Sequence, residues 1–254
     1  MGESEAANLL KKAWRERDRL YHELFGPHKY SLPKKYEPPS DVEAAEVSTP
    51  SEIAALSGKT LNEKDINILA FEPNSVRPYW IFATSGLSNP WFGQNEDVSG
   101  FACELVMKTT TPGRWAVRLM RRVIYYITSY SGTLSPGVSL QFDAPLIRDG
   151  SSELGGVIVW YVDEAPDTIY SLSSGQFGIF SIMGITQDEG EFIETIDQYG
   201  CWFVQQMLRE TGFGQNTEPK RQSLLKREDF SSKVNGLKNY LSNFGFTSAN
   251  DTDF

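Results

Sequence analysis

Only a handful of side chains in this sequence could do chemistry. The chain has two histidines, His22 and His28, and two cysteines, Cys103 and Cys201. Neither histidine joins a set of metal-ligating side chains, and neither is placed to serve a cysteine as a base. A metal centre and a thiol nucleophile are both unsupported. There is no G-x-S-x-G elbow and no G-x-x-x-x-G-K-[ST] phosphate loop. The glycines of SGQFGIFSIMG lead into a strand and lack the G-x-G-x-x-G spacing of a dinucleotide site. No cofactor is therefore expected. Two carboxylate clusters are left. Asp163 and Glu164 close a strand ahead of Ala165-Pro166; they read as a solvated strand end, as a binding rim, or as an acid/base pair. Asp188, Glu189 and Glu191 are explained by the start of a helix, where carboxylates offset the macrodipole. Trp91 and Phe92 follow Ser88-Asn89-Pro90 in a loop. Such aromatics serve either as interaction hot spots or as core plugs.

Composition narrows the classes further. The chain has 254 residues, enough for one large domain with a real core, and 40% of them are hydrophobic. Its net charge of -9 and pI near 4.9 oppose nucleic-acid binding, which needs a basic face to displace phosphate counterions. The same charge suits a basic protein partner. No basic start followed by an apolar run marks a signal peptide, and no stretch approaches the ~20 apolar residues of a membrane span. The cytoplasm is the expected location. Both cysteines sit in apolar patterns and read as buried free thiols.

The elements that must position these groups are legible in outline. Residues 4–25 read as a helix with a broken apolar stripe (Leu9, Leu10, Trp14, Leu20, Tyr21, Leu24, Phe25), stopped by Gly26-Pro27. Residues 29–58, rich in Pro, Ser and Glu, read as a mobile loop. DINILAFE alternates as a half-buried strand, and PYWIFATSG is a central one. In GFACELVMK, Phe101, Cys103, Leu105 and Met107 point one way; Ala102, Glu104, Val106 and Lys108 point the other. A helix follows from Pro112 to about Ser131, capped by Thr111. Trp115, Ala116, Leu119, Met120, Val123, Ile124 and Ile127 lie inside it, with Arg114, Arg118, Arg121 and Arg122 on a solvated face. VSLQF, GGVIVWYV and FGIFSIMGI are further strands, the last two covered on both faces. One helix is expected from Gln187 to Arg209, opened by the capping box of Thr186 and Glu189, with Gly200 letting it approach the sheet. Beyond Gly214 the composition is linker-like, followed by an amphipathic helix on Val234, Leu237, Tyr240, Leu241 and Phe244.

Seven words in order resemble the suppressor-of-fused family: FATSGLS (82–88), GFACELVMK (100–108), RWAVRLMRRVIYYI (114–127), VSLQFDAPL (138–146), VDEAP (162–166), FGIFSIMGIT (177–186) and GCWFVQQMLRE (200–210). The size resembles that of short bacterial members. The resemblance implies a single α+β domain with a mixed central sheet flanked by helices. It also implies binding of other proteins, not catalysis. Animal members sequester a transcription factor by clamping a short peptide as an added strand; several bacterial members look like immunity proteins or antitoxins. Tyr126 falls on a tyrosine used near the animal peptide groove, whereas the aspartate used a short way on falls on Val138.

The sequence thus predicts a suppressor-of-fused-like domain over 1–213 (core 60–211), with a linker and amphipathic helix over 214–254. It predicts a non-enzymatic role, foremost as an immunity or antitoxin protein against a basic toxin. A regulatory adaptor is the alternative, and a hydrolase using Asp163 and Glu164 a third reading. Trp91, Phe92, Tyr126, Asp163 and Glu164 are the candidate partner-binding residues; no metal, cofactor, nucleic acid or membrane is expected.

Overall fold

The computed structural model describes residues 3–28, 30–32, 66–90, 97–130, 134–142, 152–196 and 199–243. Most of the expected loop, together with Trp91 and Phe92, lies outside the described residues. Helix α1 (Glu3–Phe25) is followed by β1 (Tyr30–Leu32), β2 (Asn67–Phe71), β3 (Trp80–Ser85) and β4 (Val98–Thr109). Then come α2 (Arg114–Tyr130), β5 (Ser139–Gln141), β6 (Leu154–Tyr161), β7 (Tyr170–Leu172) and β8 (Gly175–Thr186). Helices α3 (Gln187–Thr195) and α4 (Gly200–Glu210), a 3₁₀ turn (Leu224–Lys226) and α5 (Phe230–Asn243) complete the described chain.

The described strands form one eight-stranded sheet in the order β1-β2-β3-β4-β8-β6-β5, with β7 paired to β8. Every pairing is antiparallel except β4 with β8, so the sheet is mixed. The α+β reading, a mixed sheet flanked by helices, is correct.

Both faces of this sheet are covered, and that explains where the expected half-buried strands went. One face packs under α2: Ile68, Ala70, Phe82, Cys103, Leu105, Met107, Val157, Val159 and Ile182 meet Ala116, Leu119, Met120, Val123, Ile124 and Ile127. The other face is shared. Leu69, Phe71, Ile81, Ala83, Val106 and Ile179 pack against Ala13, Tyr21 and Phe25 of α1. Ile158, Met183 and Ile185 pack against α3, α4 and Leu237 of α5. Strand β2 is therefore buried on both sides, Leu69 and Phe71 included.

Three expectations change at element ends. The single helix from Gln187 is two, α3 and α4, and at their junction Gly200 lies so close to Ile193 that a Cβ on it would stand 2.4 Å from the Ile193 carbonyl oxygen. Gly200 permits contact between helices, not between helix and sheet. Helix α2 starts two residues late, and the Thr111 hydroxyl donates to Glu218 (2.8 Å) instead of capping it. Three residues of the expected loop form β1, paired in register with β2 from Tyr30↔Ala70 to Leu32↔Ile68.

The stripe of α1 was broken for a reason. Ala13, Arg17, Tyr21 and Phe25 recur every four residues and are all buried, so the gap in the apolar pattern is an arginine in the core. Arg17 lies over Glu104 of β4, and both side chains have no exposed surface. The Glu104 carboxylate accepts from the Thr84 hydroxyl (2.5 Å), the Gly86 and Ser88 amides (2.9 Å each) and the Ser88 hydroxyl (2.7 Å), with Arg17 Nη1 at 3.2 Å. Arg17 also donates to Ser88 (2.9 Å) and Asn89 (3.0 Å), while Tyr21 donates to the Thr84 carbonyl (2.7 Å). The TSGLS turn is thus wound around one carboxylate. Beside it, β4 bulges at Gly100 (φ +60°), where a Cβ would lie 2.1 Å from the Leu87 carbonyl oxygen.

Removing the acid strands a buried cation. Glu104→Ala should lower the unfolding free energy by about 3–5 kcal/mol, read as a fall in the urea midpoint. A loss below about 1 kcal/mol would show that water replaces the carboxylate and that the cage carries little of the stability.

Candidate functional site

The candidate residues that the structure describes fall in two places. Asp163 and Glu164 follow β6 on the α1 side of the sheet. Tyr126 stands on α2, which covers the opposite side.

Glu164 is not a free acid. Lys108, at the end of β4 and 2% exposed, pairs with it, and the Tyr79 hydroxyl donates to it. Burial pushes the Lys108 ammonium down, and the Glu164 charge opposes that shift. Burial, the hydrogen bond to Glu164 and its charge push the Tyr79 phenol well up. Gln215 closes the junction: its Oε1 accepts from Lys108 (2.7 Å) and from the Asp163 amide (3.2 Å), and its Nε2 donates to the Tyr161 carbonyl (2.5 Å). Asp163 is about half exposed and 3.5 Å from Arg209. This arrangement holds a strand end in place; it spends Glu164 as a counter-ion and leaves Asp163 on a rim beside exposed Tyr161.

Sequence reading missed Lys108, Tyr79 and Gln215. One signal was available for the first: Lys108 and Glu104 alternate with Val106 on a strand whose neighbours are apolar on both faces. Gln215 gave none, because it sits in a stretch of linker-like composition. Here β4 and β8 part beyond Val106↔Ser181, and residues 215–217 enter the gap. Asn216 bridges to Lys108, the Thr217 amide donates to the Lys108 carbonyl (2.7 Å), and the Thr217 hydroxyl accepts from Gly184 (2.9 Å). Farther on, Arg221 pairs with Glu189, both fully buried, and the Leu224 amide donates to the same carboxylate (2.7 Å).

The second place is the sheet edge at β5. Leu140 is registered on Val157 of β6; the Phe142 amide donates to the Gly155 carbonyl (2.8 Å) and the Val159 amide to the Val138 carbonyl (2.8 Å). This alternation turns the backbone groups of Ser139 and Gln141 away from β6. Among the described residues no strand pairs β5 on that side. Helix α2 reaches the end of this edge through one side chain, with the Arg122 guanidinium 5.0 Å from the Phe142 ring centroid. Tyr126, one turn farther along, is 37% exposed on the same flank. Val138, the position matching the family's aspartate, packs at the margin of the α2-side core.

The thiols are poor nucleophiles. Burial pushes Cys103 up to about 12 and Cys201 up to about 11. His28 packs edge-on against Phe71, on the sheet face opposite Cys103. Among the described residues no three His, Cys, Asp or Glu side chains gather as a metal set, and no helix is long and apolar enough to cross a membrane.

Comparison with known proteins defines the class. The family model of the suppressor of fused protein matches residues 62–222, well over half the chain. The chain belongs to the suppressor-of-fused family. Solved structures agree on the fold. The Sufu–Fu complex matches with TM-score 0.63 at 16% identity, over 90% of this chain and 96% of that one. A homologue from Neisseria gonorrhoeae matches with TM-score 0.53 at 13% identity, over 85% and 97%. Drosophila Suppressor of Fused matches with TM-score 0.56 at 18% identity, over 70% of this chain and 46% of that protein, so the chain spans under half of its length. No curated protein sequence matches the chain.

A thiol reagent such as DTNB at pH 8 should label neither cysteine of the native protein on the time scale of minutes, and both after guanidinium unfolding. Fast labelling of either in the native state would contradict the burial described.

Proposed function

We propose that this chain is a non-enzymatic protein-binding domain whose edge at β5 takes an extended segment of a partner as a further strand. The outward backbone groups of Ser139 and Gln141 carry the reading. Membership of the suppressor-of-fused family supports it, as does the solved Sufu–Fu complex, in which a member of this fold binds Fu. The engaged state of Glu164 and the buried thiols give no support to hydrolysis. Asp163 and Glu164 serve as a rim, with Glu164 holding the rim's shape. Trp91 and Phe92 belong to the same proposal as partner contacts.

The partner class we favour is a toxin that the chain neutralises as an immunity protein in the cytoplasm. Net charge of -9 supports that choice, because opposite fields speed encounter with a basic protein. The alternative is a regulatory adaptor that sequesters an endogenous protein.

Affinity purification of the tagged chain from its own cells should recover one stoichiometric protein. That protein should slow amide exchange at residues 139–141, and the chain should protect cells against a toxin encoded beside it. Absence of a stoichiometric partner together with absence of protection overturns the binding reading. A captured regulator with no protection selects the adaptor.

A further inference from the structure

The edge strand β5 lies against helix α3. Leu140 turns its side chain into the α2-side core, so Ser139 and Gln141 turn theirs to the opposite face of the sheet. There the Ser139 side chain hydrogen-bonds with Cys201 of α4. Gln141 meets α3. Its Nε2 donates to the Glu194 carboxylate (3.0 Å), and its Oε1 accepts from Gln187 (2.9 Å), whose Nε2 also reaches the Glu191 carboxylate (3.4 Å). A Cβ on Gly190 would lie 2.7 Å from the Gln141 side chain, so α3 passes directly over this residue. Gln187, Gly190 and Glu194 thus all lie against one residue of the edge strand. That same residue supplies outward backbone groups to the open side of the sheet.

Helical geometry says which way the carboxylates of α3 point. Successive helical residues turn by about 100°. Viewed from Gly190, Ile193 and Glu189 lie about 60° and 100° to one side. On that side Ile193 enters the core with Ile158 and Ile185, and Glu189 pairs with Arg221. Glu194, Gln187 and Glu191 lie about 40°, 60° and 100° to the other side, away from β6 and toward the open flank of β5. Glu191 and Glu194 are both exposed. Among the described residues no Lys, Arg or His pairs with either. The glutamine amides occupy an oxygen on each without cancelling its charge. The start of α3 does not need them, because Thr186, Asp188 and Glu189 make the capping contacts.

We infer that the segment added at β5 is basic, with a Lys or Arg on its α3-facing side held by Glu191 and Glu194. This rests on the strand-addition reading above and names the chemistry of the clamped segment. The edge supplies binding through backbone hydrogen bonds, and the carboxylates choose among the segments that could make them. Side chains of a strand alternate between faces, so every second residue of the segment meets α3. An ammonium or guanidinium there gains charge-assisted hydrogen bonds, and an acid in its place meets like charge. The net charge of -9 acts in the same direction at long range. The two acids also disfavour a second copy of the chain. Two β5 edges paired about a twofold axis perpendicular to the sheet would bring both pairs of uncompensated carboxylates to one seam.

The test uses the full chain and fluorescein-labelled peptides of about ten residues read by anisotropy: alternating Lys-Val, alternating Glu-Val, and Lys-Val with every backbone amide methylated. The plain Lys-Val peptide should bind at least about tenfold more tightly than either other probe and slow amide exchange at Ser139 and Gln141. Its affinity should fall at least about tenfold when NaCl rises from about 0.05 to 0.5 M. Glu191→Gln/Glu194→Gln, both at exposed positions, should weaken it at least about tenfold with the melting temperature unchanged. Glu191→Lys/Glu194→Lys should reverse the preference toward the Glu-Val peptide. Sedimentation of the free chain at low salt should show a monomer. Tighter binding of the Glu-Val peptide, no binding of the Lys-Val peptide, or wild-type affinity of the Gln double variant overturns the inference. Equal binding of the methylated peptide overturns it through the strand geometry, and a dimer with slowed exchange at Ser139 and Gln141 makes a second copy the occupant. A natural partner that slows exchange at 139–141 yet binds the Gln double variant like wild type would leave strand addition standing and remove only its basic character.

Discussion

A single carboxylate organises the centre of this molecule. Glu104 lies inside a sheet covered on both faces, where an uncompensated charge costs several kcal/mol. Its oxygens are consumed by a hydroxyl, two amides and a second hydroxyl of the TSGLS turn, and its charge by Arg17. Satisfying it fixes three things together: the path of the chain leaving β3, the seat of α1 on the sheet, and the bulge at Gly100 that lets the turn approach. The polar cluster is specific in a way the surrounding Val, Ile and Leu cannot be, because apolar contacts tolerate sliding and these hydrogen bonds do not.

The same face repeats the device twice. Lys108 with Glu164, and Arg221 with Glu189, each place a charge pair where two packed regions meet. Between α1 on one half of the sheet and α3, α4 and α5 on the other, the seam is polar, and residues 215–224 run along it. Among the described residues no such charge pair lies under α2, where Leu, Ile, Val and Met dominate. The contrast divides labour: the seamed face is locked from within, and the α2 face runs out to β5, which no other described strand pairs on its outer side.

Legibility followed the physics of each element. The strand pair around Phe82 and Cys103 and the α2 helix were readable because period-2 and period-3.6 patterns survive wherever one face is apolar. The sheet's mixed character and helical flanks came with the family words. The burial of Leu69 and Phe71 was not readable, because a strand covered twice loses its alternation. The break between α3 and α4 was hidden as well: Gly200 fits a helix interior and a tight junction equally, and only the distance to Ile193 separates the two. For the candidate site, Tyr126 and the Asp163-Glu164 pair could be named from the sequence only as positions. What Glu164 does depended on Lys108 and Gln215, which lie 56 residues before it and 51 after it in the sequence, a separation no local pattern spans.

The wedge formed by residues 215–217 bears on how the molecule is made. Strands β4 and β8 begin as neighbours and then diverge, and the gap between them is filled by backbone that leaves the ribosome some thirty residues after β8 is complete. Until then Lys108 and Gly184 have water where Asn216 and Thr217 will be. A nascent chain of this protein therefore carries a slit in the middle of its sheet until residues 215–217 emerge. Synthesis order alone places closure of the slit after all eight strands have emerged, and a ribosome stalled near the end of β8 would present an opened sheet to the chaperones around it.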